Sequence, residues 1–267
     1  MDCYPTLYYE HWNYHTLYVL NITDQLPLVD ETPLNPHSLA INAQEAAAPL
    51  LRKIMNIGWL IGDKRARERP APSPARSSAS AKRLIAIGSS VGGPAALEVL
   101  LKGLPKDFSA AIVLVQHVDQ VFAAGMAEWL GSASGLKVRL AMEGDTPQSG
   151  TVLLAGTNHH IRLLKNGTLA YTAEPVNEIY RPSIDVFFES VANYWNGDAV
   201  GVLLTGMGRD GAQGLKLMRQ QGYLTIAQDQ QSSAVYGMPK AAAAIDAAVE
   251  IRPLEKIAPR LLEIFPK

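Results

Sequence analysis

The chain has 267 residues, 48% hydrophobic and 18% charged, enough for one sizeable domain with a real core plus something smaller. Its formal net charge of −1 supplies no global field that would favour nucleic acid or an anionic membrane, and its one cysteine, Cys3, excludes an internal disulfide. No apolar span is long enough to cross a bilayer and the N-terminus lacks the layout of a signal peptide, so a cytoplasmic protein with no direct membrane insertion is expected.

Residues 1–63 read as a leader. It opens with aromatics (Tyr4, Tyr8, Tyr9, Trp12, Tyr14, Tyr18), and only Leu17–Ile22 and Ala46–Leu60 look like regular elements. These are too few for an independent core, so a docking arm or partly ordered tail is expected. Residues 64–83 are rich in Pro, Ala, Ser and Arg without apolar periodicity, which describes a solvated linker.

From residue 84 strand-like and helix-like runs alternate. Leu84–Ile87 and Ala110–Gln116 read as buried strands, with amphipathic helices after each, the second over Gly125–Leu130. Lys137–Ala141 is a short third strand. Thr151–Ala155, His160–Leu164 and Thr168–Tyr171 are spaced like antiparallel strands, with a hairpin turn at Lys165-Asn166-Gly167. Next come an amphipathic run Ser183–Asn193, a buried strand Ala199–Thr205, a helix Gly211–Gln221 and a strand Tyr223–Gln228. Pro239–Ala248 is a helix with proline at its start, Val249–Arg252 a strand, and Leu254–Phe265 a closing helix. The alternation predicts an α/β domain over 84–267: a doubly wound, mainly parallel sheet with helices on both faces and an antiparallel hairpin insert.

In such sheets the site lies at the carboxyl ends of the strands. There Gly88-Ser89-Ser90-Val91-Gly92 matches the G-x-S-x-G pattern of a nucleophile elbow. The same Gly-rich turn could instead be a phosphate cradle or plain tight packing, although G-x-G-x-x-G and G-x-x-x-x-G-K-[ST] are both missing at this turn. His117 follows the second strand and Asp210 follows the strand Ala199–Thr205. A hydroxyl, an imidazole and a carboxylate thus emerge from one sheet edge, which is the set a serine nucleophile needs. Each has a duller reading: a helix cap for Ser90 or Asp210, a satisfied strand-end residue for His117. Together they favour a serine hydrolase. Their order, Ser…His…Asp, differs from that of α/β-hydrolases. A metal site is disfavoured, because His159 and His160 are adjacent and would point to opposite faces of a strand.

Five blocks resemble the catalytic domain of the chemotaxis protein-glutamate methylesterase (CheB) family. They are Ile85–Gly93, Val115-Gln116-His117, Tyr180-Arg181-Pro182-Ser183-Ile184-Asp185, Leu203–Gly211, and Thr225–Asp229 with Tyr236-Gly237-Met238-Pro239. The resemblance implies a serine hydrolase that removes methyl esters from chemoreceptor glutamates and in some members deamidates glutamines. It implies no cofactor. It makes Ser90 the nucleophile, His117 the base and Asp210 the orienting acid, with methylated chemoreceptor cytoplasmic domains as partners and no nucleic acid. Backbone N–H groups near Val91 and Met207 are candidate oxyanion donors. Arg181 is a candidate for the substrate cleft or for a surface ion pair. The alternative is a catalytically silent signalling scaffold on the same fold. The chain departs from the family in having Val91 where threonine usually follows the nucleophile, and Val118-Asp119-Gln120-Val121 after the histidine. Residues 1–63 are also too short for the receiver domain that members usually carry.

Overall fold

The computed structural model describes residues 82–266. The leader over 1–63 and nearly all of the linker lie outside the described residues. The first strand, β1 (Arg83–Ser89), takes in the last residue assigned to that linker. It is followed by α1 (Gly93–Lys102), β2 (Ala111–Gln116), α2 (Gln120–Ser134), β3 (Lys137–Leu140) and β4 (Thr151–Leu154). A hairpin of β5 (His160–Leu163) and β6 (Leu169–Thr172) leads to α3 (Ile184–Tyr194) and β7 (Asp198–Leu203). The chain closes with α4 (Ala212–Gln220), β8 (Leu224–Gln228), α5 (Met238–Ala244), β9 (Glu250–Arg252) and α6 (Leu254–Ile264).

Seven strands form one parallel sheet in the order β3-β4-β2-β1-β7-β8-β9. β1 lies at its centre and is apolar along most of its length because both faces are covered. Leu84 and Ala86 join Phe187, Phe188 and Leu215 in one core; Ile85 and Ile87 join Leu97, Leu100 and Leu130 in the other. Alternate residues of a strand face opposite ways, so one short run anchors two cores. The connections leave β1 toward β2 on one side and β7 toward β8 on the other. The strand order therefore reverses between β1 and β7, and a crevice opens there at the carboxyl ends.

Three local expectations are corrected. Thr151–Leu154 is not part of an antiparallel group: β4 pairs in parallel with β2 and β3, and only β5 and β6 are antiparallel. Short apolar runs do not encode their direction, which the connections set. Helix α2 begins at Gln120, well before Gly125, because the Asp119 side chain accepts from the Val121 N–H at 3.0 Å. Val121 and Phe122 stay exposed, so capping rather than an apolar face starts this helix. Helix α5 stops at Ala244 despite the alanines beyond it. Asp246 adopts φ 58° and the Ala247 N–H returns to the Ala242 carbonyl, a left-handed helix ending that overrides alanine propensity.

Helices α3 and α4 cap each other. The Asp210 carboxylate, just before α4, accepts the Ile184 N–H at 2.7 Å and the Asp185 N–H at 3.0 Å from the start of α3. In return the Asp185 carboxyl, in the first turn of α3, accepts the Gly214 N–H of α4 at 2.6 Å. Asp210 does not serve as the N-cap of its own helix, where Gly211 stands with no side-chain cap.

Burial, and then the charge of Asp210, push the Asp185 carboxyl up to about 8. In the unfolded chain an aspartate titrates near ~3.9. Between those values the folded state keeps a proton that the unfolded state has lost. Asp185 therefore makes folding less favourable as pH rises through that window, and its effect levels off above it. The substitution Asp185→Asn keeps an oxygen for the Gly214 N–H and removes the titration. Urea unfolding should show the variant gaining on the wild type as pH is raised from roughly 5 to roughly 8. A difference that stays constant with pH would mean that the carboxyl is ionised throughout.

Candidate active site

The elbow is assembled from three strand ends. Ser89 and Gln116 are register partners on β1 and β2, so Ser90 and His117 leave adjacent strands side by side. The Ser90 N–H donates to the Thr205 carbonyl at 3.0 Å, joining the elbow to the end of β7, and the His117 N–H donates to the Ser89 carbonyl at 3.0 Å. The two serines then part company. The Ser89 hydroxyl is 2.6 Å from Gln116 Oε1 and is buried at 1% exposure. Ser90 is 7% exposed and lies at the start of the turn into α1.

Glycine is required twice in this turn. Gly92 has φ 77°, in the left-handed region, and a Cβ there would stand 2.5 Å from Ala234 Cβ. A Cβ on Gly93 would lie 2.0 Å from Gln116 Oε1. Gly206 clears the other side, where a Cβ would meet Ser90 Cβ at 2.7 Å.

His117 Nε2 lies 2.7 Å from Asp210 Oδ2. An ionised carboxylate only accepts, so the imidazole proton resides on Nε2. Nδ1 is left as the acceptor; it is buried and has no hydrogen-bond partner among the described residues. The ring of Tyr180 stacks on the imidazole at 4.3 Å between centroids and 3° between planes.

Asp210 is 5% exposed and accepts from His117 Nε2, the Ser183 hydroxyl at 2.9 Å, and the N–H groups of Ile184, Asp185 and Gly211. Burial pushes its carboxyl up, but the His117 contact and the helix N–H groups outweigh this and hold it below the ordinary range. The start of α3 adds its positive dipole end.

Val91 is half-exposed, as is Met207, and the backbone N–H groups of both have no hydrogen-bond partner among the described residues. Both therefore remain available as donors beside Ser90. Arg181 is exposed and its guanidinium donates to the Val176 carbonyl, bracing its own loop. His159 is exposed while His160 is fully buried. His160 Nδ1 accepts the Ser183 N–H at 3.0 Å, so its proton sits on Nε2, 3.2 Å from the Pro175 carbonyl. Burial pushes His160 below its usual range, consistent with a neutral ring.

Sequence reasoning missed Tyr180, Ser183, His160, Gln116 and Thr205. Tyr180 and Ser183 sit in the block Tyr180–Asp185, which was legible as a motif with no chemistry attached. Gln116 was visible as a polar residue ending an apolar strand; its Nε2 donates to the Ser90 carbonyl at 2.9 Å. Nothing in the sequence pointed to His160 as a neutral brace.

A family model described as CheB methylesterase matches residues 85–261. A protein-glutamate methylesterase/protein-glutamine glutaminase of Pseudomonas fluorescens is 90% identical over 226 residues, spanning 85% of this chain and 67% of its own length. A protein of the same description from another strain of that species is 79% identical over 255 residues, 96% of this chain and 75% of its own. The crystal structure of the Thermotoga maritima CheB methylesterase catalytic domain superposes with a TM-score of 0.64 at 34% identity, covering 68% of this chain and 98% of that one. A Ser-His-Asp edge on a reversing parallel sheet and a match that runs through every strand end bearing those residues agree: the chain belongs to the CheB methylesterase family.

Proposed function

We propose that this chain is a protein-glutamate methylesterase and protein-glutamine glutaminase that acts on methylated chemoreceptor cytoplasmic domains, with Ser90 as nucleophile. The observation that carries this reading is the His117 imidazole, held by Asp210 on one nitrogen and unpartnered on the other beside the Ser90 strand end. Ser90 Oγ attacks the ester carbonyl as His117 Nδ1 takes its proton. The carbonyl oxygen gains charge and is received by the N–H groups of Val91 and Met207. His117 returns the proton to the departing methoxide, which leaves as methanol. Water, deprotonated by His117, then attacks the acyl carbon, the bond to Ser90 Oγ breaks, and Ser90 takes that proton back from His117 as the free carboxylate product leaves. Asp210 keeps the imidazole in one tautomer and stabilises its charged form without taking the proton. With a glutamine side chain the same steps expel ammonia. The site is read as cytoplasmic because its substrate is; no helix among the described residues is long and apolar enough to cross a membrane.

The test is methanol release from membranes bearing methylated receptors. Ser90→Ala should abolish it with the fold intact, and Ser89→Ala should be milder, because Ser89 is bonded to Gln116. Turnover by the Ser90 variant at the wild-type rate would remove Ser90 as nucleophile and leave that role to Ser89 or to no serine, whereas no turnover by the wild type would favour a silent scaffold. Asp210→Asn should lower kcat by about 10⁴ by misplacing the imidazole proton. It should also lower stability, since the carboxylate holds the start of α3. A lowered melting temperature with near-normal kcat would leave Asp210 a capping residue only.

We also infer that residues 84–267 act as an autonomous esterase and that residues 1–83 locate it without acting as a phosphorylation switch. Tyr and Trp in the leader offer contact area at low entropic cost, and the Pro-rich linker transmits little force. A chain starting at Ala81 should match the full-length kcat, with acetyl phosphate changing neither. A full-length enzyme that is slow until the phosphodonor arrives, beside a truncated one that is always fast, would overturn this.

A further inference from the structure

We propose that Tyr180 is a positioning residue, whose ring fixes the face of the His117 imidazole so that Nε2 stays on Asp210 and Nδ1 stays free to accept a proton. The proposal rests on the reading of His117 as the base. The Cβ–Cγ bond and one hydrogen bond at Nε2 still leave an imidazole able to turn about the Cβ–Cγ axis, which exchanges the places of its ring atoms. A second restraint must come from its face or its other nitrogen. Nδ1 has no hydrogen-bond partner among the described residues, and the face contact with Tyr180 supplies a restraint on this turn. The rings lie 3° from parallel at 4.3 Å between centroids, an offset stack with close contact over the imidazole.

The loop carrying Tyr180 is itself held on both sides. Before it, the Pro175 carbonyl accepts from His160 Nε2 and the Val176 carbonyl accepts from Arg181. After it, Ser183 donates its N–H to His160 Nδ1 and its hydroxyl to Asp210. One buried histidine therefore ties the two ends of the loop together, and Ser183 ties it to the carboxylate that also holds His117. The Asp210 loop makes room for the aromatic ring. A Cβ at Gly208 would stand 2.8 Å from the Tyr180 hydroxyl oxygen, and Gly208 has φ 87°. Tyr180 thus touches both the base and the loop that carries its orienting acid, which is the placement a geometric brace requires.

The experiment uses the full chain with ¹⁵N-labelled histidine, combining the imidazole spectrum with kcat and KM for methanol release. Wild type should show His117 as one tautomer, protonated at Nε2. Tyr180→Leu keeps apolar bulk without a flat face. It should average the two tautomers and lower kcat by about tenfold or more, with KM within about twofold, as expected when a reacting group is misplaced rather than substrate binding lost. Tyr180→Phe retains the stack, so it should restore the single-tautomer spectrum and most of kcat. Tyr180→Met offers a second route should Tyr180→Leu not fold: it too keeps apolar bulk without a flat face and should give the same averaging. An unaveraged His117 spectrum in whichever of Tyr180→Leu and Tyr180→Met folds would overturn the proposal. So would a loss confined to KM, which would make Tyr180 a wall for the substrate. Averaged tautomers with undiminished kcat would uphold the brace and instead sink the assignment of His117 as base.

Discussion

The buried Asp210 carboxylate is the constraint on which the rest of this site depends. A charge at 5% exposure is tolerated only if its oxygens are fully hydrogen-bonded. Its donors come from the end of β2, from the first turn and cap of α3, and from the start of α4. These elements are distant in sequence, and the carboxylate couples their positions. A helix start that moved away would leave N–H groups and a charge unpaired together. The same bonds that satisfy the charge hold His117, so stability of the fold and orientation of the imidazole are not separable here.

A second polar frame holds the elbow from the opposite side. Gln116, at the end of β2, takes the Ser89 hydroxyl on its oxygen and gives its amide hydrogens to the Ser90 and His117 carbonyls. Gln228, at the end of β8, accepts the Thr205 N–H at 2.8 Å. Thr205 in turn gives its hydroxyl to the Val91 carbonyl and its own carbonyl to the Ser90 N–H. The elbow therefore sits between two buried glutamines, each satisfied by backbone groups and a serine hydroxyl. Such networks are costly when half made and rigid when complete, which suits a turn that must present one hydroxyl. They also explain why Ser89 and Ser90, adjacent and chemically alike, differ in availability.

The imidazole is engaged through the nitrogen opposite to that of the familiar serine-protease arrangement, where the carboxylate meets Nδ1 and the serine faces Nε2. Here Asp210 meets Nε2. The roles proposed for the three residues are compatible with this exchange, because either ring nitrogen can donate or accept. The chain order Ser…His…Asp is the order in which β1, β2 and β7 bring the three residues to the carboxyl edge of the sheet.

The alternation of buried strands and amphipathic helices was legible because burial on two faces imposes continuous apolar runs and burial on one imposes helical periodicity. The elbow was legible because glycine and serine at fixed spacing have few other uses between a strand and a helix. Ser90, His117 and Asp210 could be grouped from the strand-end rule alone, since that rule depends on order along the chain. By contrast, the parallel pairing of β4, the early start of α2 and the early end of α5 depended on connections and caps that periodicity does not register. Which ring nitrogen of His117 meets Asp210, that Tyr180 covers its face, and that His160 is a neutral brace were decided only by the tertiary structure. Those features are contacts between residues tens of positions apart, and a sequence carries residue types and local spacing but not the distances that folding closes between them.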